Sequence, residues 1–156
     1  MPSILTFKKD MAAYAVGRRA NSEEWNTVTR TLESATLPFG APAVDGTVKH
    51  SVVPLTAAAQ NIIGISEAVA SLPRPGDGFV QYDNVPLCQD GVIGVLLNDD
   101  VVEGAAARWN VTTQKWTDAA ASATVFTVPG AQFEEAGLAG AVGIVRFRRP
   151  VPCVSA

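Results

Sequence analysis

Few side chains in this sequence can do acid–base or nucleophilic chemistry. The chain holds one histidine, His50, and two cysteines, Cys88 and Cys153. A histidine-activated nucleophile needs its base within hydrogen-bond reach of a hydroxyl or thiol. In TVKHSVVPL, Ser51 is adjacent to His50, but neighbours along a strand point to opposite faces. His50 is read as a surface or interface residue, and a small hydrolase built around it is the enzymatic rival. No clustering of Cys and His gives the spacing of a zinc site. A Cys88–Cys153 disulfide stays open on sequence; the preferred reading is two separate thiols in a reducing compartment.

Carboxylates adjoin at Asp99-Asp100, with Glu103 close by, and at Glu134-Glu135. Glycoside hydrolysis needs two acids facing each other from different elements, so neighbouring acids in LNDDVVEG read as solvated loop residues. They also lack the Asp/Asn/Gly spacing of a calcium loop. There is no GxGxxG and no GxxxxGK[ST]. The glycine-rich GLAGAVG runs into IVRFRR, a strand pattern that offers a phosphate no helix N-terminus. The expectation is no catalytic residue, no metal and no cofactor.

The scaffold for these residues is one domain of 156 residues, 47% hydrophobic and 17% charged. Soluble domains usually carry about 25% charged residues, so the surface is apolar enough to suggest standing partners. A net charge of −3 argues against direct nucleic-acid binding. GVIGVLL (91–97) and GLAGAVGIV (137–145) fall short of the roughly 18 residues that span a bilayer, so no membrane contact is expected. Lys8, Lys9 and Asp10 interrupt the apolar start before a signal-peptide core forms, which places synthesis in a cytoplasm-like environment.

Strand signals separated by turn chemistry run from Thr27 onward, at the spacing of an all-β sandwich or barrel. Residues 1–26 read as an extended N-terminal arm with little core of its own, 27–150 as the β domain and 151–156 as a tail. RRANSEEWNTVTRTLES would start a helix at Ser22, but Thr27, Val28, Thr29 and Thr31 favour an extended path, so 27–33 is the first expected strand. NIIGISEAV (61–69) follows, then a loop at SLPRPGDG (71–78). FVQYDNVPLCQDGVIGVLL reads as strand, turn, strand, with the tight turn at Asp90-Gly91. RWNVTTQKWT reads as a hairpin around Thr-Thr-Gln, TVFTV and AVGIVRFRR as the last strands, and AQFEEAGLAG as a site for one helical turn.

The ends are basic and the middle is acidic: residues 45–139 carry eleven acids and four bases, a net of −7. Arg18 and Arg19 lie in the arm, and Arg146, Arg148 and Arg149 near the C-terminus. In a strand Arg146 and Arg148 share one face, and Val145, Phe147 and Arg149 the other. That face is either a solvated strand surface or a stripe that docks on an acidic partner.

Three segments together resemble a known family. VTRTLESATLPFGAPAV runs an arm into a Pro-Phe-Gly turn and a barrel strand. NIIGISEAV is followed by a Tyr82-containing strand and QDGVIGVLL. VFTVPGAQFEEAGLAGAVGIVRF places a Pro-Gly-Ala-x-Phe turn before a Gly/Ala-rich link and the last strand. In order and spacing these are similar to the structural cement, or decoration, proteins of tailed-bacteriophage capsids. The resemblance implies an all-β fold, a small β-barrel or jelly-roll-like domain, on the outer surface of an icosahedral virion. It implies binding to the major capsid protein, a homo-oligomer (trimer first, dimer second), and no enzymatic role. Arg18, Arg19, Trp25, Arg30, Phe39, Arg146, Arg148 and Arg149 are the capsid or oligomer interface candidates. The rival binding class is a head-attached host- or glycan-binding β-module, which would display Trp109 and Trp116 as a sugar platform.

Overall fold

A computed structural model of the chain describes residues 15–21, 25–58, 60–69 and 78–150. These form eleven strands: β1 (Asn26–Leu32), β2 (Thr36–Pro38), β3 (Pro42–Asp45), β4 (Ser51–Pro54), β5 (Ile62–Ser66), β6 (Gly78–Val80), β7 (Asn84–Leu96), β8 (Ala106–Asn110), β9 (Lys115–Thr117), β10 (Val125–Phe133) and β11 (Val142–Arg148). No helix occurs among the described residues. The all-β expectation holds.

Five strands close a ring, β1-β4-β3-β5-β7, because β7 pairs with both β5 and β1. From β7 the sheet continues through β11, β10 and β8 to β9. Leu97, just past β7, bridges Trp116 of β9 in parallel sense, which brings the far end of the sheet back to β7. A small antiparallel pair, β2 with β6, stands apart from this sheet.

The apolar runs go where burial on both faces is available. All five residues of β5, IIGIS, are buried, as expected of a continuous apolar strand covered on both sides. Gly64 in its middle lets Cys88 come close, since an added Cβ would lie 2.6 Å from the Cys88 carbonyl oxygen. The core runs unbroken from Leu32, Ile65 and Leu87 to Trp116, Phe133 and Phe147. Trp116 stacks edge-on against Trp109 at 5.7 Å, and its indole N–H donates to the Gly40 carbonyl at 2.7 Å. That bond ties the β8–β9 hairpin to the turn before β3.

Two local expectations are corrected. Asp90-Gly91 makes no hairpin: β7 passes straight through it as one strand of 13 residues. Its two halves have other partners, β1 across 84–90 and β11 across 90–96. Gly91 keeps its special backbone (φ 152°), but for a different purpose, because its bare face carries the Trp25 ring. The turn instead falls at Gln81-Tyr82, where Tyr82 adopts φ 71°. The helical turn expected in 131–140 is also absent: β10 continues to Phe133, and Gly137 beyond it bridges Val101. The Thr-Thr-Gln hairpin is present, with Trp109 opposite Trp116 and Gln114 at φ 55°. The 71–77 loop lies outside the described residues.

Two substitutions test this architecture. Gly91→Ala puts a Cβ inside the Trp25 ring and is expected to cost about 1–3 kcal/mol, read from denaturant unfolding, with a red-shifted tryptophan emission as Trp25 is displaced. Trp116→Phe leaves the buried Gly40 carbonyl without its indole donor. It should cost about 1–3 kcal/mol; an unchanged unfolding midpoint would refute the tie between the two parts of the sheet.

Candidate functional site: a strap and a basic edge on one strand

Residues 17–20 lie antiparallel against the second half of β7 and act as a strap. The Gly17 amide donates to the Gly94 carbonyl at 2.8 Å, the Gly94 amide to the Arg18 carbonyl at 2.9 Å, and the Ala20 amide to the Val92 carbonyl at 2.8 Å. Arg19 forms the bridge to Ile93. Gly17 sits at φ 74°, with the Ala68 amide where a side chain would be. Its carbonyl accepts that amide's hydrogen at 2.8 Å. The part of the expected arm that is described here is therefore paired to the sheet.

Trp25 packs on Gly91 and carries the Arg19 guanidinium 5.2 Å above its ring, a cation–π contact worth about 0.5–1 kcal/mol where solvent reaches it. The indole N–H of Trp25 donates to the Glu67 carboxylate, and the Thr27 hydroxyl donates to Glu67 Oε1 at 2.5 Å. Burial raises the Glu67 pKa, with these two bonds and the Arg19 charge opposing it. Cys88, fully buried, has its thiol pushed up to about 12, first by burial and then by the nearby Glu67 and Asp90 charges. Sequence reading overlooked Glu67: after an apolar run its only signal was a strand end.

Phe39 stacks edge-on against Phe79 at 5.1 Å. It lines a cleft of about 360 Å³ with Val16, Arg18, Pro38 and Leu96. The structure thus brings Arg18 and Phe39 to one side of the strap, and Arg19 and Trp25 to the other. Arg30 stands apart on β1, where its guanidinium donates to the Thr29 carbonyl at 3.0 Å.

At the C-terminal end, Val145 and Phe147 point into the core, and Arg146 and Arg148 point out, as alternation requires. Arg146 is held by Glu134 through bonds of 2.5 and 3.1 Å, and this pairing lowers the Glu134 pKa. Arg148 is exposed and lies opposite Asp90, which on its other side faces Asn26 of β1. Arg149 falls past the strand end, its amide bonded to the Gln89 carbonyl at 2.9 Å. Ile93 pairs with Val145 on one edge and bridges Arg19 on the other. The two basic ends of the chain therefore meet across β7.

The enzymatic rivals find little support. His50 is exposed at φ 64°, and the Ser51 hydroxyl is directed to Glu33 Oε2 at 2.8 Å. Asp99 accepts from the Thr117 hydroxyl at 2.7 Å, and Asp100 from the Ala139 amide at 2.8 Å, so both acids brace loops. No group of three or more His, Cys, Asp or Glu able to hold a metal ion occurs among the described residues. Cys153 lies outside them. Trp109 and Trp116, the expected sugar platform, are buried at 4% and 1% exposure, because each stacks on the other inside the core.

The family model described as structural cement protein (E217 gp24/Pam3 gp6) matches residues 5–148. No curated protein matches the chain. Among solved structures, a chain from the capsid of Myoviridae phage XM1 shares the fold with a TM-score of 0.73 at 14% identity, covering 94% of this chain and 97% of that one. With nearly the whole described structure inside the matched span, the chain belongs to the structural cement protein family.

Proposed function

We propose that the protein is a non-enzymatic cement protein that binds the outer surface of an icosahedral phage head and stabilises contacts between major capsid protein subunits. The family match over residues 5–148 carries this reading. The fold shared with a phage capsid chain agrees with it. A ligand that binds the assembled shell better than loose subunits stabilises the shell by mass action, and many copies on a symmetric lattice multiply a modest contact.

The surface proposed to engage the capsid or a second copy centres on the strap and the basic edge. Arg18, Arg19, Trp25, Phe39 and Arg148 flank β7 there, with Arg146 tempered by Glu134; Arg149 lies at its margin, and Arg30 stands apart on β1 opposite Val85. The partner is the major capsid protein. Self-association is as a trimer first and a dimer second, and neither nucleic acid nor membrane is a direct partner. Synthesis is in the host cytoplasm and residence on the virion. The glycan-binding alternative has lost its platform with the burial of Trp109 and Trp116.

The test is decoration of undecorated heads by purified protein, read by co-sedimentation and by the temperature at which heads release DNA. Wild-type protein should raise that temperature; heads that neither bind nor gain stability would overturn the proposal. Removing residues 1–14 keeps the strap, whose pairing to β7 runs from Gly17, and tests the rest of the expected arm. It should weaken decoration at least tenfold; undiminished decoration would remove the arm from the contact. Arg18→Gln with Arg148→Gln, which removes both charges without setting a like charge opposite Asp90, should slow association and flatten its salt dependence, as expected of rim charges. The mass of the pure protein in solution separates trimer, dimer and monomer.

A further inference from the structure

Over its first half, β10 has a strand on one edge only. β8 accompanies Val125–Thr127, whereas β11 pairs with β10 at residues 131–133. The Val111 amide donates to the Thr124 carbonyl at 2.9 Å, so alternation turns Thr124 and Phe126 towards β8 and Val125 and Thr127 away from it. Val125 is closed off by Ser122, whose amide donates to the Val125 carbonyl and whose hydroxyl accepts from the Val125 amide. Thr127 is left facing an edge that carries no strand among the described residues.

Beside that edge runs a groove. Two hollows of about 250 and 240 Å³ meet at Gln60 and Pro129. Leu55, Val125 and Phe126 line the first and Ile62 the second, and no lining side chain is charged. The chain leads itself into this groove. Past β11 it crosses Gly130, where an added Cβ would meet the Arg148 carbonyl oxygen and lie 3.4 Å from Pro150 Cδ. Pro150, the last described residue, forms part of the groove wall. Six residues follow, VPCVSA (151–156), none with a charged side chain. Extended, they span about 20 Å, which matches the uncovered stretch 125–130 residue for residue. The family match ends before them, at residue 148.

We propose that the groove is a peptide-binding site for the chain's own C-terminal segment, with residues 151–156 running antiparallel to β10 between Thr127 and Gln60. The ligand class is an extended, uncharged, proline-containing peptide, supplied by the same chain. Proline accounts for β11 stopping although the edge ahead is open. The Glu134 amide donates to the Ile144 carbonyl of β11, and the Arg149 amide to the Gln89 carbonyl of β7. Even-numbered residues of β11 therefore turn towards β10, and the next two are Pro150 and Pro152. A proline has no N–H to donate, but its carbonyl can accept from the Thr127 amide. Apolar contact, rather than a continued ladder, then holds the segment. Such a seat also keeps Cys153 beside β10, across β11 from Cys88 on β7, so the two cysteines remain separate thiols. It is independent of whether the protein binds a phage head.

Cys153 makes the seat testable in the full-length protein. Docked, it lies about 10 Å beyond Pro150 along the groove. Thr127→Cys and Ala121→Cys place thiols at exposed groove positions. Asn26→Cys is the control: Asn26 faces Asp90 and Asp90 faces Arg148, so it lies about 10 Å from β11 on the side away from the groove. A disulfide needs Cα atoms within about 7 Å, a distance the docked segment keeps on one side only. Under mild oxidation a groove position should form an intrachain disulfide about tenfold faster than Asn26→Cys, at a rate independent of protein concentration, and Cys153→Ser should abolish it. Val151→Asp with Val154→Asp sets charge in an uncharged groove and should bring that rate down to the control's. Neither groove position faster than Asn26→Cys would mean that the segment does not seek the groove. Disulfides formed only between chains, and rising with concentration, would give the groove to a second copy's segment. Either result, or a rate unmoved by the two aspartates, would overturn the proposal.

Discussion

The fold depends on β7 being hydrogen-bonded along both edges for nearly its whole length. Its first half takes β1 on one edge and β5 on the other; its second half takes the strap and β11. The β1–β7 pairing closes the five-strand ring, while β11 carries the rest of the sheet. Strands usually run about 5–6 residues, and a 13-residue strand with open edges would leave many amides and carbonyls to be satisfied by water or by unwanted partners. Here each stretch is covered by a different segment of the chain. Two glycines make the crowding feasible, since an added Cβ at Gly91 would enter the Trp25 ring and one at Gly94 would press on the Ala15 carbonyl at 2.6 Å.

From that arrangement follows the charge distribution that matters for the proposed function. The net charge of −3 conceals basic residues near both ends of the chain. Because the strap and β11 lie on opposite edges of the same half of β7, these residues converge although more than a hundred positions separate them in sequence. Not all of them stay equally available. Arg146 is engaged by Glu134, and Arg19, though exposed, sits over Trp25; Arg18 and Arg148 are exposed as well. Long-range attraction to an acidic partner would act through Arg18, Arg19 and Arg148, the charges not neutralised by Glu134.

Much of the fold was legible in the sequence where local patterns are unambiguous. The β-branched NTVTRTL and the Trp109/Trp116 hairpin appear as strands within a residue or two of their expected bounds, and the apolar IIGIS forms the core of the expected 61–69 strand, which ends three residues early at Ser66. Asp90-Gly91 was misread because a glycine needed for a turn and a glycine needed to receive an indole look alike in sequence. The Trp25 that decides between them is 66 positions away. Glu67 was invisible for a related reason. Its bonds reach Thr27, 40 positions off, and no periodic pattern encodes a carboxylate whose role is to clasp another segment. The exposure of Trp109 and Trp116 was equally unreadable, since alternation assigns a face to each residue but not which face the rest of the chain will cover.

The large aromatic residues show where recognition is left to occur. Trp109, Trp116, Phe79, Phe133 and Phe147 are spent on the interior, so they hold the sheet together and are lost as contact anchors. Of the large apolar side chains left outside, Val48 lies in the β3–β4 turn and the others sit near the two ends of β7. Tyr82 is just before its start, 76% exposed, while Val102 and Leu138 flank the Val101–Gly137 bridge beyond its finish, at 65% and 70%. The 13 residues of the strand lie between these tips, with the strap and the basic edge beside the strand's second half. Under the proposed function, apolar groups at both ends of a doubly paired strand and charge along its flank would let the protein touch two capsid subunits at once. Resisting the separation of those subunits is what that proposal requires of it.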